Sequence, residues 1–294
     1  MYRIDEYIEA ESIIEVLKLL SEKPERKIIA GGTDLLIDMR NNPLESVRLI
    51  SIRNINPLYT INRLDNGSIS IGPMVTFSRL ANHPLIRENL PLLVEAAMSI
   101  GGPQLREMAT IGGNLCNGVP SADSAPALLV YEAKLLLQSQ DAERTVPVKD
   151  FYHGPGQTDL RPGELLTAIH IDEDAYTGFS GTYIKFAPRK AMDLAIIGVA
   201  VACRLDKQQN FEKVRIGLGV AGPTPLRCPR AESLACGNQV SAEMIKQIGS
   251  MTLEETSPRS SWRASAEYRR HLIRELTIRA LKTAVSRAGG NNNA

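Results

Sequence analysis

The chain has 294 residues, of which 43% are hydrophobic and 23% are charged. This composition excludes a disordered or fibrous chain and is typical of a globular protein with two or three domains. The 34 lysines and arginines nearly balance the 33 aspartates and glutamates, and the two signs are interspersed, so a nucleic-acid partner is not expected. The charged N-terminus and the lack of a long apolar stretch predict neither a signal peptide nor a membrane span.

The cysteines indicate a reducing compartment. Cys116, Cys203, Cys228 and Cys236 are scattered without C-x-x-C spacing, so they are expected to be free thiols in a cytoplasmic protein. Cys116 lies in a glycine-rich stretch with no companion cysteine, and we interpret it as a packing residue and not as a cluster ligand.

The first 57 residues predict a small α/β lobe. Ser12 and Glu15 have the spacing of a capping box, so a helix begins there and ends before Pro24. The apolar stretch 27–30 predicts a buried strand, and residues 48–52 predict another.

Residues 58–176 predict a second lobe of mixed helices and strands. Asp65, Asn66 and Gly67 lie between two apolar stretches, as in a β-hairpin, and Thr76 is placed to cap a helix. The helices are predicted at 77–80, 91–98 and 124–131, and the strands at 59–61, 68–71, 134–138, 145–148 and 165–171.

The polar stretch 172–178 predicts a boundary before a C-terminal domain, residues 177–294. Three strands, at 182–186, 196–205 and 214–220, precede helices at 229–235, 241–253 and 264–286. Strands followed by helices are typical of an α+β layer domain, here with a three-stranded sheet. The polar tail 289–294 is expected to be frayed.

Two diglycine segments carry the functional signal. The first, residues 30–34 (AGGTD), joins a strand to a helix; the second, residues 109–114 (ATIGGN), precedes a polar loop and another helix. Glycine lets backbone N–H groups approach an anion with no Cβ in the way, and the first turn of a helix has free N–H groups. Either segment alone fits a turn without a ligand, and neither matches G-x-G-x-x-G or a P-loop. Together they favour one shared nucleotide.

No side chain stands out as reactive. The four histidines are not at metal-ligand spacing, and His170 is most simply a half-exposed packing residue in a strand. Because the loops bind and no residue evidently reacts, the chemistry is expected to come from a cofactor, and we assign no catalytic residue and no metal ligand.

These segments, with SADSAP, TYIKFAPRKAMDLA and RSSWRASAEYRRHL, resemble the FAD-binding subunit of the xanthine dehydrogenase group of molybdenum hydroxylases nearly from end to end. The resemblance implies a two-lobed FAD-binding domain of the vanillyl-alcohol-oxidase (PCMH) type, with lobes at 1–57 and 58–176, followed by the C-terminal domain. It also implies FAD on this chain and NAD⁺ as co-substrate. Molybdopterin and 2Fe-2S clusters would be held only by a large and a small partner subunit.

The resemblance also implies the residues that contact FAD. Both glycine segments would wrap the pyrophosphate, Thr110 would offer its hydroxyl to the phosphates, and Asp123 would hold a sugar-like hydroxyl. Leu166 would lie against the flavin ring and Lys185 beside it. The residues themselves leave open Asp123 as a helix N-cap, Leu166 as a strand leucine and Lys185 as a solvated lysine. The complete set is Lys27, Ile28, Ile29, Ala30, Gly31, Gly32, Thr33, Asp34, Ile100, Ala109, Thr110, Ile111, Gly112, Gly113, Asn114, Asp123, Leu166 and Lys185.

The chain departs from its animal relatives at one point. They place an aromatic residue over the flavin where this chain has Ser99, Ile100 and Gly101, so Ile100 would cover the ring by apolar contact without stacking. The loop with Arg189, Lys190 and Asp193 resembles the family's segment near the ring and the NAD approach. Trp262 and Arg263 fit either the docking of a partner or the sealing of their own domain.

The expected function is therefore that of an electron-transfer subunit of xanthine dehydrogenase, which passes electrons from partner iron–sulfur centres through FAD to NAD⁺. Alternatives are the FAD subunit of a hydroxylase for nicotinate, an aldehyde or carbon monoxide, and a nucleotide-binding assembly module with no redox role. A hydroxybenzoyl-CoA-reductase type would need clustered cysteines. A stand-alone flavin reductase would need an internal proton donor and a substrate cavity.

Overall fold

The computed structural model describes residues 2–42 and 45–290. The strands are β1 Ile4–Glu9, β2 Lys27–Ile29, β3 Val47–Ser51, β4 Ile61–Arg63, β5 Ile69–Ile71, β6 Lys134–Gln138, β7 Glu143–Pro147, β8 Tyr152–Gly154, β9 Gln157–Thr158, β10 Leu165–Ile171, β11 Ser180–Phe186, β12 Ile197–Leu205, β13 Phe211–Gly219 and β14 Leu226–Arg227. The helices are α1 Ile13–Glu22, α2 Leu35–Asn41, α3 Phe77–Asn82, α4 Pro84–Asn89, α5 Pro91–Met98, α6 Pro103–Met108, α7 Ile111–Asn117, α8 Ser124–Val130, α9 Glu173–Tyr176, α10 Pro229–Ala235, α11 Ala242–Met251 and α12 Ala266–Arg287.

The first sheet is parallel, with the order β1-β3-β2. The N-cap of α1 is Ser12, whose hydroxyl accepts from the Glu15 N–H as the capping box predicts. Strand β1 was not predicted, because charged residues interrupt its weak alternation of apolar side chains. The prediction that β2 is buried was wrong: Lys27 is exposed and Ile28 and Ile29 are half-buried, since β2 lies at an edge of the sheet and β3 takes the centre.

The second sheet has five strands, in the order β4-β5-β10-β6-β7. The first hairpin strand begins at Ile61, two residues later than predicted, because residues 56–59 form a 3₁₀ turn with Pro57 near its start. Helices α4 and α6 were also missed; each is short and begins with proline, which is well suited to the first helical position.

The C-terminal sheet is antiparallel, with the order β11-β12-β13-β14. The three predicted strands are present, and the two-residue β14 adds a fourth. Helix α12 packs on β11 and β12 and begins at Ala266, where Ser265 caps it by accepting from the Tyr268 N–H. The structure confirms the α+β fold class. Tail residues 291–294 lie outside the described residues.

The C-terminal sheet docks on the second lobe through α5 and α8. The Glu95 carboxylate of α5 accepts from the Thr182 hydroxyl (2.7 Å) and from the Tyr183 N–H (2.8 Å) of β11. This contact holds the middle of β11 against the second lobe. The boundaries after residues 57 and 176 stay predictions. None of the helices in the described part of the chain has the length and hydropathy needed to cross a bilayer.

Candidate cofactor site

The first glycine segment has backbone donors with no acceptor. Gly32 has a left-handed φ of 72°, and its carbonyl accepts from the Leu36 N–H (3.0 Å) at the start of α2. Within residues 2–42 and 45–290, the N–H groups of Gly31, Gly32 and Thr33 have no hydrogen-bond acceptor. Successive free N–H groups in a turn of this kind form a concave anion site.

The two glycine segments touch each other. A Cβ on Gly31 would collide with the Met108 carbonyl oxygen and lie 3.4 Å from the Ala109 Cα, so the absent side chain allows backbone to pack against backbone. The Asp34 carboxyl lies close to Asn117 at the far end of α7. Loss of water around Asp34 raises the pKa of its carboxyl, and the nearby Asn117 amide opposes that rise. Residues about eighty positions apart in sequence thus lie side by side.

The second glycine segment was predicted to be a loop, but it forms the start of α7 instead. The Gly112 N–H donates to the Pro73 carbonyl (2.9 Å), and the Gly113 N–H donates to the Thr110 hydroxyl (3.1 Å), which caps the helix. The expectation of two free N–H groups was therefore wrong here, because each has a partner within the chain. The Thr110 hydroxyl accepts in this bond, so its own hydrogen is available to a ligand.

Gly112 and Gly113 face different surroundings. Gly112 is buried, and a Cβ there would lie 2.7 Å from the Pro73 carbonyl oxygen. Gly113 is exposed, and a Cβ there would meet only the Thr110 hydroxyl, at 2.9 Å. Next to it, Asn114 accepts a hydrogen bond from the Ser124 hydroxyl (2.6 Å). Only Gly113 therefore leaves open space in front of the segment.

A buried ion pair lies behind the second segment. Lys185 Nζ donates to Asp123 (2.7 Å), and the Tyr183 hydroxyl donates to the other Asp123 oxygen (2.6 Å). The side chains of Lys185 and Asp123 are 11% and 7% exposed, so the solvated-lysine alternative was wrong. Asp123 occupies the N-cap position of α8, but its side chain makes no capping bond because both oxygens are engaged elsewhere.

Burial and the neighbouring charge have opposite effects on the pKa of Asp123. Burial raises the pKa of Asp123, and the ammonium of Lys185 together with two hydrogen bonds opposes the rise. Burial and the Asp123 carboxylate raise the pKa of Tyr183 well above its ordinary value, so its hydroxyl stays protonated and donates. The site therefore holds the positive charge of Lys185, which Asp123 keeps in position while Tyr183 keeps Asp123 in position.

The Ser99–Gly101 turn lies next to Lys185. Lys185 Nζ donates to the Ser99 carbonyl (3.1 Å), and the Met192 N–H donates to the Gly101 carbonyl (3.0 Å). The structure thus brings Ile100, Asp123 and Lys185 together, with the 187–196 loop beside them. Ile100 itself is buried in the main core.

The remaining predicted residues are placed less directly. Leu166 is buried in β10, next to a break in the strand register between Leu166 and Ala168. Lys27, at the outer edge of the first sheet, lines a surface cleft with Asp5 and Glu25. For these two positions the structure shows location and not a ligand contact.

The sequence interpretation missed Tyr183, Asn117 and Pro73. Tyr183 lies two residues before Lys185 in one strand, so both side chains point to the same face, and that spacing could have found it. Pro73 and Asn117 carried no such signal, because only the tertiary fold brings them to the glycines.

In the described ranges no group of three potential metal ligands occurs. Burial raises the pKa of the Cys116 thiol to about 12.

The site suits the phosphates of a dinucleotide. It combines free backbone donors at Gly31–Thr33, an open glycine at 113 and a buried cation at Lys185. A Cβ at Gly113 would fill the space in front of α7, so the space is open only because this residue is glycine. Open space of this kind is expected where a phosphate approaches the backbone closely. The residues present therefore fit FAD.

Comparisons with known proteins agree with this geometry. Residues 2–172 match the family model described as the FAD binding domain in molybdopterin dehydrogenase, and residues 182–284 match the CO dehydrogenase flavoprotein C-terminal domain. The chain is 40% identical over 290 residues to the putative xanthine dehydrogenase FAD-binding subunit of Escherichia coli K12, covering 99% of both chains. It is 31% identical to the glyceraldehyde dehydrogenase medium chain of Sulfolobus acidocaldarius, over 94% of this chain and 96% of that one.

A solved structure is similar over the whole length. A chain of the carbon monoxide dehydrogenase from Hydrogenophaga pseudoflava superimposes with a TM-score of 0.92 at 29% identity, covering 98% of this chain and 99% of that chain. The family models, the relatives and the fold all agree. This chain belongs to the family of FAD-binding subunits of molybdenum hydroxylases.

Proposed function

We propose that this chain is the electron-transfer subunit of a xanthine dehydrogenase, with NAD⁺ as the final acceptor. The 40% identity to the xanthine dehydrogenase FAD-binding subunit of E. coli supports purine substrates over the aldehyde, nicotinate and carbon monoxide alternatives, since relatives named for those substrates are 31% identical. The structural observation that carries the binding of FAD is the run of three free N–H groups at Gly31–Thr33 beside the Met108–Ala109 backbone. The lobe boundaries after residues 57 and 176 are part of this proposal.

The first glycine segment and Thr110 would hold the pyrophosphate. The N–H groups of Gly31, Gly32 and Thr33 would donate to phosphate oxygens, and the Thr110 hydroxyl would add a donor from the second segment. Hydrogen bonds to charged acceptors contribute about 1.5–3 kcal/mol each, so a few of them are enough to retain the cofactor. Asp123 would accept from a hydroxyl of the ribityl chain with its remaining lone pairs.

Bound FAD would supply the exchange of electrons and hydride that no side chain here can supply. Lys185 would place its charge at the ring. Its ammonium has three donors, and Asp123 and Ser99 use two of them, so one is left for a ring oxygen. Tyr183 would fix Asp123 and, through it, the direction of Lys185. Ile100 would exclude water from one side of the ring.

The complex would contain two further chains. A large subunit would hold molybdopterin and oxidise the purine, and a small subunit would hold the 2Fe-2S clusters that deliver electrons to this chain. Cys116, Cys203, Cys228 and Cys236 are free, which suits a reducing, cytoplasmic location.

The test is a visible absorption spectrum of the purified chain, followed by anaerobic titration with NADH. The proposal predicts a flavin band that bleaches with NADH, whereas Gly113→Val should give a folded chain without the band. A band that NADH does not bleach would contradict NAD⁺ as the acceptor. No band after FAD is added would contradict the binding assignment and favour an assembly module.

A further inference from the structure

Helices α5 and α12 meet at the outer edge of β11, the strand that carries Lys185. Strand β11 is the last strand on one side of the C-terminal sheet, so among the described residues its outer edge has no partner strand. Glu95 of α5 and Arg287, the last residue of α12, hydrogen-bond to this edge instead. Trp262 takes no part in this contact: its indole is 86% exposed and stacks with the Arg263 guanidinium, so it does not seal its own domain.

The Glu95–Arg287 ion pair satisfies backbone groups of β11 as a neighbouring strand would. Arg287 donates to the Gly181 carbonyl (2.6 Å) and to Glu95 Oε1 (2.6 Å). Glu95 Oε2 accepts from the Tyr183 N–H (2.8 Å) and from the Thr182 hydroxyl (2.7 Å). Both oxygens of Glu95 therefore face donors. An uncovered edge strand leaves its N–H and C=O groups unpaired, and this ion pair provides one acceptor and one donor for them.

Helix α5 lies along β11 and contacts it at three successive points. A Cβ on Gly181 would lie 2.9 Å from Leu92 Cδ1, so the helix packs directly on the strand there. The contacts join residues of one helical face, three and four positions apart, to alternate residues of the strand: Leu92 to Gly181, Glu95 to Tyr183, and Ser99 to Lys185. Glu95 makes the central contact, so it fixes how far α5 extends along β11.

The third of these contacts holds Lys185. Ser99 is the C-cap of α5, and its carbonyl accepts from Lys185 Nζ at 3.1 Å. Within the described ranges, the other partner of this ammonium is Asp123. A shift of α5 along β11 would therefore remove the Ser99 carbonyl and leave the ammonium bonded to Asp123 alone. The same shift would carry Ile100, which follows Ser99 in the chain.

We infer that Glu95, held by Arg287, is a positioning residue that fixes the Lys185 ammonium and the 99–101 turn for the flavin ring and so raises the reduction potential of the flavin. The inference rests on the proposed function. Reduction by two electrons places negative charge on a flavin ring, and a cation beside the ring stabilises that charge. A displacement of such a cation by about 2 Å, in a site of low dielectric constant, changes the reduction equilibrium about tenfold. Glu95 and Arg287 act through Lys185 and need no contact with the cofactor.

The test compares two substitutions that change the net charge in opposite directions, in the full chain loaded with FAD. Glu95→Ala removes the central contact, and Arg287→Met removes the donor that holds Glu95, so each should release α5 from β11. Both should lower the equilibrium constant for two-electron reduction about tenfold, which is about 30 mV. Anaerobic equilibration with a reference dye measures this potential. If the two side chains acted only through their charges, Glu95→Ala would raise the potential and Arg287→Met would lower it.

The matched control is Arg227→Met, which removes the same charge from another contact between the C-terminal domain and the second lobe. Arg227 donates to the Leu129 carbonyl (3.0 Å), at the end of α8 away from Asp123, so the control should keep the wild-type potential. A second measurement needs no cofactor. In the FAD-free chain, hydrogen exchange at the Tyr183 N–H should be at least about tenfold faster in Glu95→Ala, because this amide loses its acceptor.

A flavin potential that rises or stays the same in Glu95→Ala or in Arg287→Met would overturn the inference. An equal fall in Arg227→Met would also overturn it, since the effect would then belong to the domain contact in general. So would wild-type exchange at Tyr183 in Glu95→Ala. The proposed function is tested separately by the flavin content and NADH reduction of the wild-type chain. A wild-type chain that passes that test while Glu95→Ala keeps its potential would overturn only the positioning inference.

Discussion

The first glycine segment leaves the N–H groups of Gly31, Gly32 and Thr33 without acceptors, whereas in the second segment Gly112 and Gly113 both donate within the chain. The two stretches have the same Gly-Gly pair in sequence. In the first, glycine provides a left-handed turn that directs donors outward. In the second, glycine provides close packing at Gly112 and open space at Gly113. A Gly-Gly pair in the sequence therefore predicts that another group approaches the backbone closely. It does not predict whether that group is a neighbouring backbone or a ligand, or whether the glycine N–H groups are free to donate.

The largest effect is expected where the ligand itself would need the space. Gly32→Val and Gly113→Val should each lower FAD affinity at least about a hundredfold, because two charge-assisted hydrogen bonds contribute about 1.5–3 kcal/mol each. Gly32→Val acts through the backbone, since valine disfavours a φ of 72°. Gly113→Val acts by filling the open space. The ratio of flavin to protein absorbance measures both, and full flavin content in either variant would contradict the assignment of that segment.

The ion pair behind the second segment comes next. Asp123→Asn should lower the free energy of unfolding by about 3 kcal/mol, because it leaves the Lys185 ammonium buried without a counter-charge. Lys185→Met should cost less, since the raised pKa of Asp123 lets its carboxyl take up a proton while Tyr183 still donates to it. Urea unfolding of both variants and the double variant measures the coupling. Additive losses would contradict a buried pair.

Alanine at Gly112 and at Gly113 separates packing from ligand space. Gly112→Ala should destabilise the FAD-free chain by about 2–3 kcal/mol, because its Cβ meets the Pro73 backbone. Gly113→Ala should stay within about 1 kcal/mol, since alanine favours the helix and only the Thr110 hydroxyl must shift. Thermal unfolding without FAD measures both. If the two variants lost similar stability, the distinction between these glycines would be wrong.

The smallest effect is expected for the ion pair between Arg26 and Glu6, which supports the strand before the first glycine segment. Arg26, just before β2, hydrogen-bonds Glu6 of β1 at 2.7 Å and so holds the pKa of that carboxyl at about 2, below the usual 4.5. Because the folded pKa is lowered, this pair stabilises the fold above pH 4.5 and is lost as the pH falls toward about 2. Over this window, unfolding free energy should fall more steeply in the wild type than in Glu6→Gln. Equal slopes of unfolding free energy against pH in the two proteins would show that the Arg26–Glu6 pair does not stabilise the fold.

Local patterns predicted much of the fold. Ser12 and Thr76 cap helices as predicted, and the long strands β10, β12 and β13 lie close to their predicted ranges. Short elements such as α4, β8 and β9 were missed. Segments this short carry too few side chains to show a period, so packing decides their conformation.

Both glycine segments, Asp123 and Lys185 were selected from sequence as cofactor-binding residues, and that role stays a prediction. The structure places Gly31 against Met108 and Ala109, and it pairs Lys185 with Asp123. The Asp123–Lys185 pairing could not be read from positions that lie in a helix cap and a strand 62 residues apart. Tyr183 was within reach, because it shares a strand face with Lys185.

By itself the sequence determined the α+β class, the helix caps, the two diglycines and the membership of the chain in a flavoprotein family, because these depend on residues close together or on similarity along the whole chain. Only the tertiary structure decided which glycines have free donors, which partner Lys185 finds and that Trp262 stays exposed. Those properties depend on backbone and side chains that are distant in sequence, such as Pro73, Met108 and Asp123, whose positions are set by the tertiary packing of the elements that carry them.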